Sequence, residues 1–149
     1  NYYFDFDEIR VPQKYPGKLG YKGKNKGKYT GHKMGKNPSD VWIFPNVKSN
    51  HKEKTIHPCQ FPIELAERLI LSMSKKNDLV IDPYAGVGTT LLAAVKNNRL
   101  SKGSDIMKKY TDIANKRFKL LIKGKLPYRD RNQAIQKVKG NSKLYFRDD

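Results

Sequence analysis

The stretch LVIDPYAGVGTTLLAAV, residues 79–95, constrains the fold of this chain more than any other. Its first three residues suit a short buried strand, and Asp82-Pro83 closes that strand because proline cannot donate to a ladder. Gly86 and Gly88 permit a tight turn, and Thr89 and Thr90 open a run of Leu and Ala that favours helix from 89 to 96. Strand, glycine turn and helix in that order make the first half of a βαβ unit.

The flanking segments extend the same alternation. Pro62 stands where a first helical residue is favoured, and Glu64 and Glu67 lie in the opening turns, where the helix dipole prefers acids. Leu65, Leu69, Ile70 and Met73 keep helical spacing through IELAERLILSM. Residues 41–44, VWIF, read as a short strand closed by Pro45, and residues 2–11 as a further strand. Residues 99–104 are predicted to contain a strand ending at Asp105. A last helix is predicted over 108–122, with Tyr110, Ile113, Phe118 and Leu121 on its apolar side. The alternation predicts an α/β fold, a parallel sheet with right-handed crossovers and flanking helices. At 149 residues the chain is long enough for one domain with a real core.

In open α/β sheets ligands sit beyond the carboxyl ends of the strands. Asp82 lies at such an end, Gly86 and Gly88 let a ligand approach the backbone, and the N–H groups that open the next helix favour an anion. Asp105 follows Gly86 by 19 residues at the end of the next predicted strand, where a carboxylate can accept both hydroxyls of a ribose. A dinucleotide site asks for a third glycine where this chain has Leu91, and no Gly-Lys-Ser/Thr follows for a P-loop. A ligand with one ribose and one carboxylate fits better, and S-adenosylmethionine has both. An ordinary glycine-lined strand-to-helix turn satisfies the same spacing.

Charge points to the partner. The net charge is +17, and residues 14–36 alone hold eight Lys and no acid. Around the balanced middle, residues 123–149 carry eight basic residues against three acids. Such a surplus favours a polyanion, since each phosphate neutralised releases a counterion. In KYPGKLGYKGKNKGKYTGHKMGKNP, Gly and Pro forbid a helix. Lys14, Lys18, Lys22, Lys24, Lys26 and Lys28 suit a phosphate backbone there, and Tyr15, Tyr21 and Tyr29 can stack on bases. A solvated linker is the plainer reading of the same residues. The single Cys59 leaves no intrachain disulfide and no multi-cysteine metal site, so a reducing, cytoplasmic setting is expected. No apolar run approaches the roughly 20 residues of a membrane-spanning helix.

Three linked segments carry a resemblance: HPCQFPIELAERLI (57–70), DPYAGVGTT (82–90) and GSDIMKKYTDIANKR (103–117). In order and spacing they resemble the amino-methylating DNA methyltransferases of the β arrangement, which modify adenine N6 or cytosine N4 within restriction-modification systems. The resemblance covers roughly residues 41–122 and implies part of a Rossmann-like, S-adenosylmethionine-dependent methyltransferase fold. It implies that Asp82, Pro83, Tyr84, Gly86, Gly88 and Thr89 hold the methionine part of the cofactor and Asp105 its ribose. His57, Pro58 and Gln60 would form a box packing against the cofactor. Phe61 stands where the family often has Lys, so a packing role is expected there, and Cys59 replaces a frequent Thr. Residues 1–40 would end a target-recognition region that binds double-stranded DNA, and 123–149 would be a basic tail lying on the domain.

The family's catalytic loop, Asp/Ser-Pro-Pro-Tyr, has no counterpart, since none of the eight prolines is adjacent to another. The chain alone is expected not to transfer a methyl group, and a complementary N-terminal polypeptide carrying that loop is the expected partner. A non-catalytic nucleic-acid-binding half, an RNA methyltransferase and a nucleotide-dependent oxidoreductase are the rival readings.

Overall fold

Two short parallel strands, β1 (Leu79–Asp82) and β2 (Leu100–Gly103), form the sheet, with Leu79 opposite Leu100 and Asp82 opposite Gly103. The coordinates are a computed structural model describing residues 2–133. Parallel neighbours need a long crossover, and here it is the glycine turn followed by α2 (Thr89–Lys96). Before the sheet lies α1 (Ile63–Met73) and after it α3 (Lys108–Ile122). These five elements fall where the sequence predicts them. No helix among the described residues is long and apolar enough to cross a membrane.

Helix α2 is the centre of the packing, touching both strands and both other helices. Its Leu91, Leu92, Ala93 and Ala94 are buried, and the alanines let α1 approach closely. Leu92, Ala93 and Ala94 join Ile63, Ala66, Ile70 and Leu126 in the core, with Val80, Phe118, Leu121 and Tyr128 packed against them. The strand expected to be buried at 79–81 is covered on one face alone: among the described residues Leu79, Ile81 and Leu100 are exposed on the other, since successive side chains of a strand point to opposite faces.

Several sequence expectations are corrected. Residues 41–44 form no strand: they find no ladder partner among the described residues, and Trp42 and Phe44 instead bracket the Arg68 guanidinium at 5.0 and 4.9 Å. Residues 2–11 hold a single 3-10 turn at Asp7–Ile9, because the Asp5 side chain accepts the N–H groups of Asp7 and Glu8 and curls the chain. Helix α1 is rotated relative to the expected stripe, with Leu69 and Met73 exposed and Ile63, Ala66, Glu67 and Ile70 facing inward. It is apolar over more than one face, so periodicity alone left its orientation open.

The acids of α1 serve burial rather than the helix dipole. Glu67 is fully buried and accepts from Lys96 Nζ at 2.5 Å and Asn97 Nδ2 at 2.9 Å. Glu64 is ion-paired with Arg129. That contact belongs to residues 126–133, which cross the domain: Leu126 enters the core and Arg131 donates to the Glu8 carbonyl at 2.7 Å. Residues 126–133 are thus tied to the domain, and the rest of the expected tail, residues 134–149, falls outside the described part.

Candidate functional site

The turn between β1 and α2 is stitched to the end of β2. Ala85 N–H donates to the Ser104 carbonyl (2.8 Å), and Ser104 N–H to that of Asp82 (3.1 Å). Asp105 then closes the loop: its Oδ2 accepts Gly86 N–H at 2.9 Å and its Oδ1 accepts Met107 N–H at 2.8 Å. Each carboxylate oxygen retains a lone pair after accepting one bond. Asp82 accepts Tyr84 N–H through Oδ1 at 3.0 Å. Gly88, with φ of 76°, is the left-handed residue that caps α2, and a Cβ there would stand 2.9 Å from the Ala114 Cβ.

The segment containing His57 approaches the same loop from α1. The His57 ring lies edge-on to Tyr110 at 4.5 Å, and its Nε2 is 3.1 Å from where a Cβ on Gly86 would stand. His57 Nδ1 accepts Cys59 N–H at 3.2 Å, which makes Nε2 the protonated nitrogen of the neutral ring. Three segments distant in sequence, at 57, 82–89 and 105–110, therefore meet around Gly86.

Not every expected residue faces that meeting point. Gln60 is buried, and its amide is used inside its own loop: Oε1 accepts from Thr55 Oγ1 (2.7 Å) and Nε2 donates to the Glu53 carbonyl (2.6 Å). Thr89 is buried, its hydroxyl accepting from Arg117 Nη1 at 3.2 Å. Pro58, Pro83 and Tyr84 are exposed. Phe61 is exposed and lines a shallow apolar depression with Leu65, Leu69 and Thr90.

Two residues escape a reading of the sequence. Glu53 is buried, and its carboxylate accepts Ile63 N–H (2.9 Å) at the start of α1 and Arg129 N–H (3.1 Å). No local pattern signals it, because its partners lie 10 and 76 residues away. Arg117 lies under the glycine loop, and its Nη1 also donates to the Val87 carbonyl at 2.7 Å. Burial holds its pKa down to about 10, with Glu53 pulling the other way. Here a signal exists, since Arg117 interrupts the apolar stripe Tyr110, Ile113, Ala114, Phe118, Leu121.

The basic segment is exposed throughout its lysines. It has no α-helix and is folded back on itself by bonds from Gly20 N–H to the Lys28 carbonyl and from Thr30 N–H to the Lys18 carbonyl (2.9 and 3.0 Å). Tyr15, Tyr21 and Tyr29 are exposed. Beside Tyr29 opens a groove of about 710 Å³, lined also by Pro12, Gln13, His32 and Met34.

The DNA methylase model of N6/N4 type matches residues 1–116. The Type II methyltransferase M.BglII of Bacillus subtilis is 52% identical over 113 residues, 76% of this chain and 31% of that protein. M.ScaI of Streptomyces caespitosus is 45% identical over 119 residues, 76% of this chain and 38% of that protein. A solved M1.HpyAVI–SAM complex is 33% identical, with a TM-score of 0.48 over 56% of this chain and 42% of that one. The chain thus spans about a third of the length of these two curated relatives.

Gly88→Ala tests the construction of the loop. A left-handed alanine costs about 1–2 kcal/mol, and the contact with Ala114 adds to it. Gly124 also has positive φ, with nothing within 4 Å of a Cβ. Urea unfolding should therefore show a larger loss for Gly88→Ala than for Gly124→Ala, and equal losses would contradict the close approach.

Proposed function

This chain belongs to the N6/N4 DNA methylase family, and on that premise we propose that it forms the cofactor-holding part of a site-specific DNA methyltransferase. The reaction is methyl transfer from S-adenosylmethionine to the exocyclic amino nitrogen of adenine or cytosine in double-stranded DNA. The observation that carries this reading is the convergence on Gly86, where the Asp105 carboxylate accepts the glycine N–H and the His57 ring closes the other side.

The residues fit the group. Gly86 and Gly88 allow the loop to close against His57 and Ala114, where a side chain would crowd them. The first-turn N–H groups of α2 are free of helical partners and favour the methionine carboxylate. Asp82 would take the amino end, and the spare lone pairs of Asp105 suit the two ribose hydroxyls. His57, held by Cys59 N–H and Tyr110, walls the site against water. S-adenosylmethionine bound there supplies an electrophilic methyl group. Gln60 and Thr89 act one layer further out, Gln60 by holding the His57 loop in shape and Thr89 through Arg117.

The lysines of 14–36 bring the duplex to this site, with Tyr21 and Tyr29 beside them. The base-holding loop is supplied by another polypeptide stretch, since no Pro-Pro pair occurs in residues 1–149. An amino group to be methylated must first be turned out of the stack and held in line with the donor, and that loop would hold it.

Three measurements test this reading. Calorimetric titration with S-adenosylmethionine should show binding by the parent chain and a loss of roughly tenfold or more in Asp105→Ala, since hydrogen bonds to a charged group contribute about 1.5–3 kcal/mol. Equal affinity removes Asp105 from the ribose. Tritiated cofactor with assorted duplexes should label DNA only when a polypeptide carrying a Pro-Pro-aromatic loop is added, and labelling by the chain alone that vanishes in Asp82→Ala would overturn the division of labour. DNA retention should fall steeply with added salt, and replacing Lys22, Lys24, Lys26 and Lys28 by Gln should flatten that dependence. An unchanged slope would take the segment off the phosphates.

A further inference from the structure

Buried arginines are expensive, and α3 carries one where its neighbours are apolar. Arg117 is 6% exposed, in line with Ile113, Ala114 and Leu121. A Leu or Met there would fill similar space without desolvating a cation. The guanidinium instead spends Nη1 on two acceptors of the glycine loop, the Val87 carbonyl at 2.7 Å and the Thr89 hydroxyl at 3.2 Å. Nη2 is buried with no partner among the described residues. Val87 and Thr89 flank Gly88, the left-handed residue that begins α2 and has no side chain with which to cap it.

We propose that Arg117 is a positioning residue for the cofactor site: from below, its guanidinium holds the Val87–Gly88 peptide and the Thr89 side chain, one on each side of Gly88, and so sets the direction of the N–H groups that α2 presents to the ligand. The Val87 carbonyl points into the domain and requires a donor, and the planar guanidinium can reach it and the Thr89 hydroxyl from one nitrogen. A lysine keeps the charge, but its ammonium ends one bond short of Nη1 and lacks the planar group that holds that nitrogen against both acceptors. The loop is then held from two sides, by Asp105 on Gly86 N–H and by Arg117 on Val87 and Thr89.

Arg99 supplies the control. It too is 6% exposed and hydrogen-bonded, to the Ser74 and Asn97 carbonyls, but at the opposite end of β2 from the glycine loop. Amide hydrogen exchange on the whole chain without cofactor should show the 85–90 amides exchanging roughly tenfold faster or more in Arg117→Met and in Arg117→Lys. Arg99→Met, with a comparable loss of overall stability, should leave those amides as in the parent. Should Arg117→Met fail to fold, Arg117→Lys decides the matter. Loop exchange in the Arg117 variants no faster than in Arg99→Met overturns the proposal, leaving Arg117 as general support.

The ligand arm rests on the cofactor reading of this site. In titrations with S-adenosylmethionine, affinity should fall roughly tenfold or more in Arg117→Lys and stay at the parent value in Arg99→Met. A parent chain that binds no S-adenosylmethionine sinks the cofactor reading, while the exchange measurement still decides whether Arg117 holds the loop. Parent-like affinity in Arg117→Lys overturns the positioning role.

Discussion

The carboxylate of Glu53 ties together the parts of the domain that sequence keeps far apart. One oxygen accepts the first N–H of α1, the other accepts Arg129 N–H from the segment that crosses the domain, and its own carbonyl takes the Gln60 amide. These bonds fix the loop 53–60, and with it the place from which His57 reaches Gly86. A buried carboxylate left without donors is strongly unfavourable, so the arrangement stands or falls as a unit. Helix α1, lacking a side-chain cap of its own at Pro62, gets one from ten residues upstream.

The same principle recurs across the interior. Glu64 pairs with Arg129, and Glu67 with Lys96 and Asn97, while Arg117 lies near enough to Glu53 to feel its charge. A chain with 31 basic residues and 14 acids thus commits three of its acids to buried contacts. Arg99, Arg117 and Arg129 are buried as well, so burial among the described residues leaves the basic surplus intact, which suits a polyanionic partner. Broken one at a time, such buried pairs cost more than they contribute intact, so they specify one packing of α1 on α2.

The candidate site inherits its precision from this frame. Asp82 braces the start of its glycine loop at Tyr84 N–H, and the glycines beyond are positioned by groups reaching in from elsewhere: Asp105 after β2, Arg117 on α3 and the His57 ring after Glu53. A methyl donor held by such a loop would be oriented by three separate elements. Misplacement of any one of them would propagate to the reacting group, and shifts of about 1 Å are costly in group transfer.

The local steps of the chain were legible from residues 79–95 and 99–122, because strand length, glycine turns and helical period are local properties. The two strands, the three helices and the 19-residue separation of Gly86 and Asp105 could all be read from the sequence alone. Tertiary structure alone decided which face of α1 turns inward, since Leu65, Leu69 and Met73 offer a stripe as apolar as the buried one and only the partners of Glu64 and Glu67 break the tie. It also decided that 41–44 pairs with Arg68 rather than with a strand, and that Gln60 and Thr89 turn away from the loop they flank. The difference has one physical origin. Backbone conformation responds to neighbours within a few residues, whereas a buried charge takes its meaning from a partner that folding brings to it, 76 residues away in the case of Glu53 and Arg129.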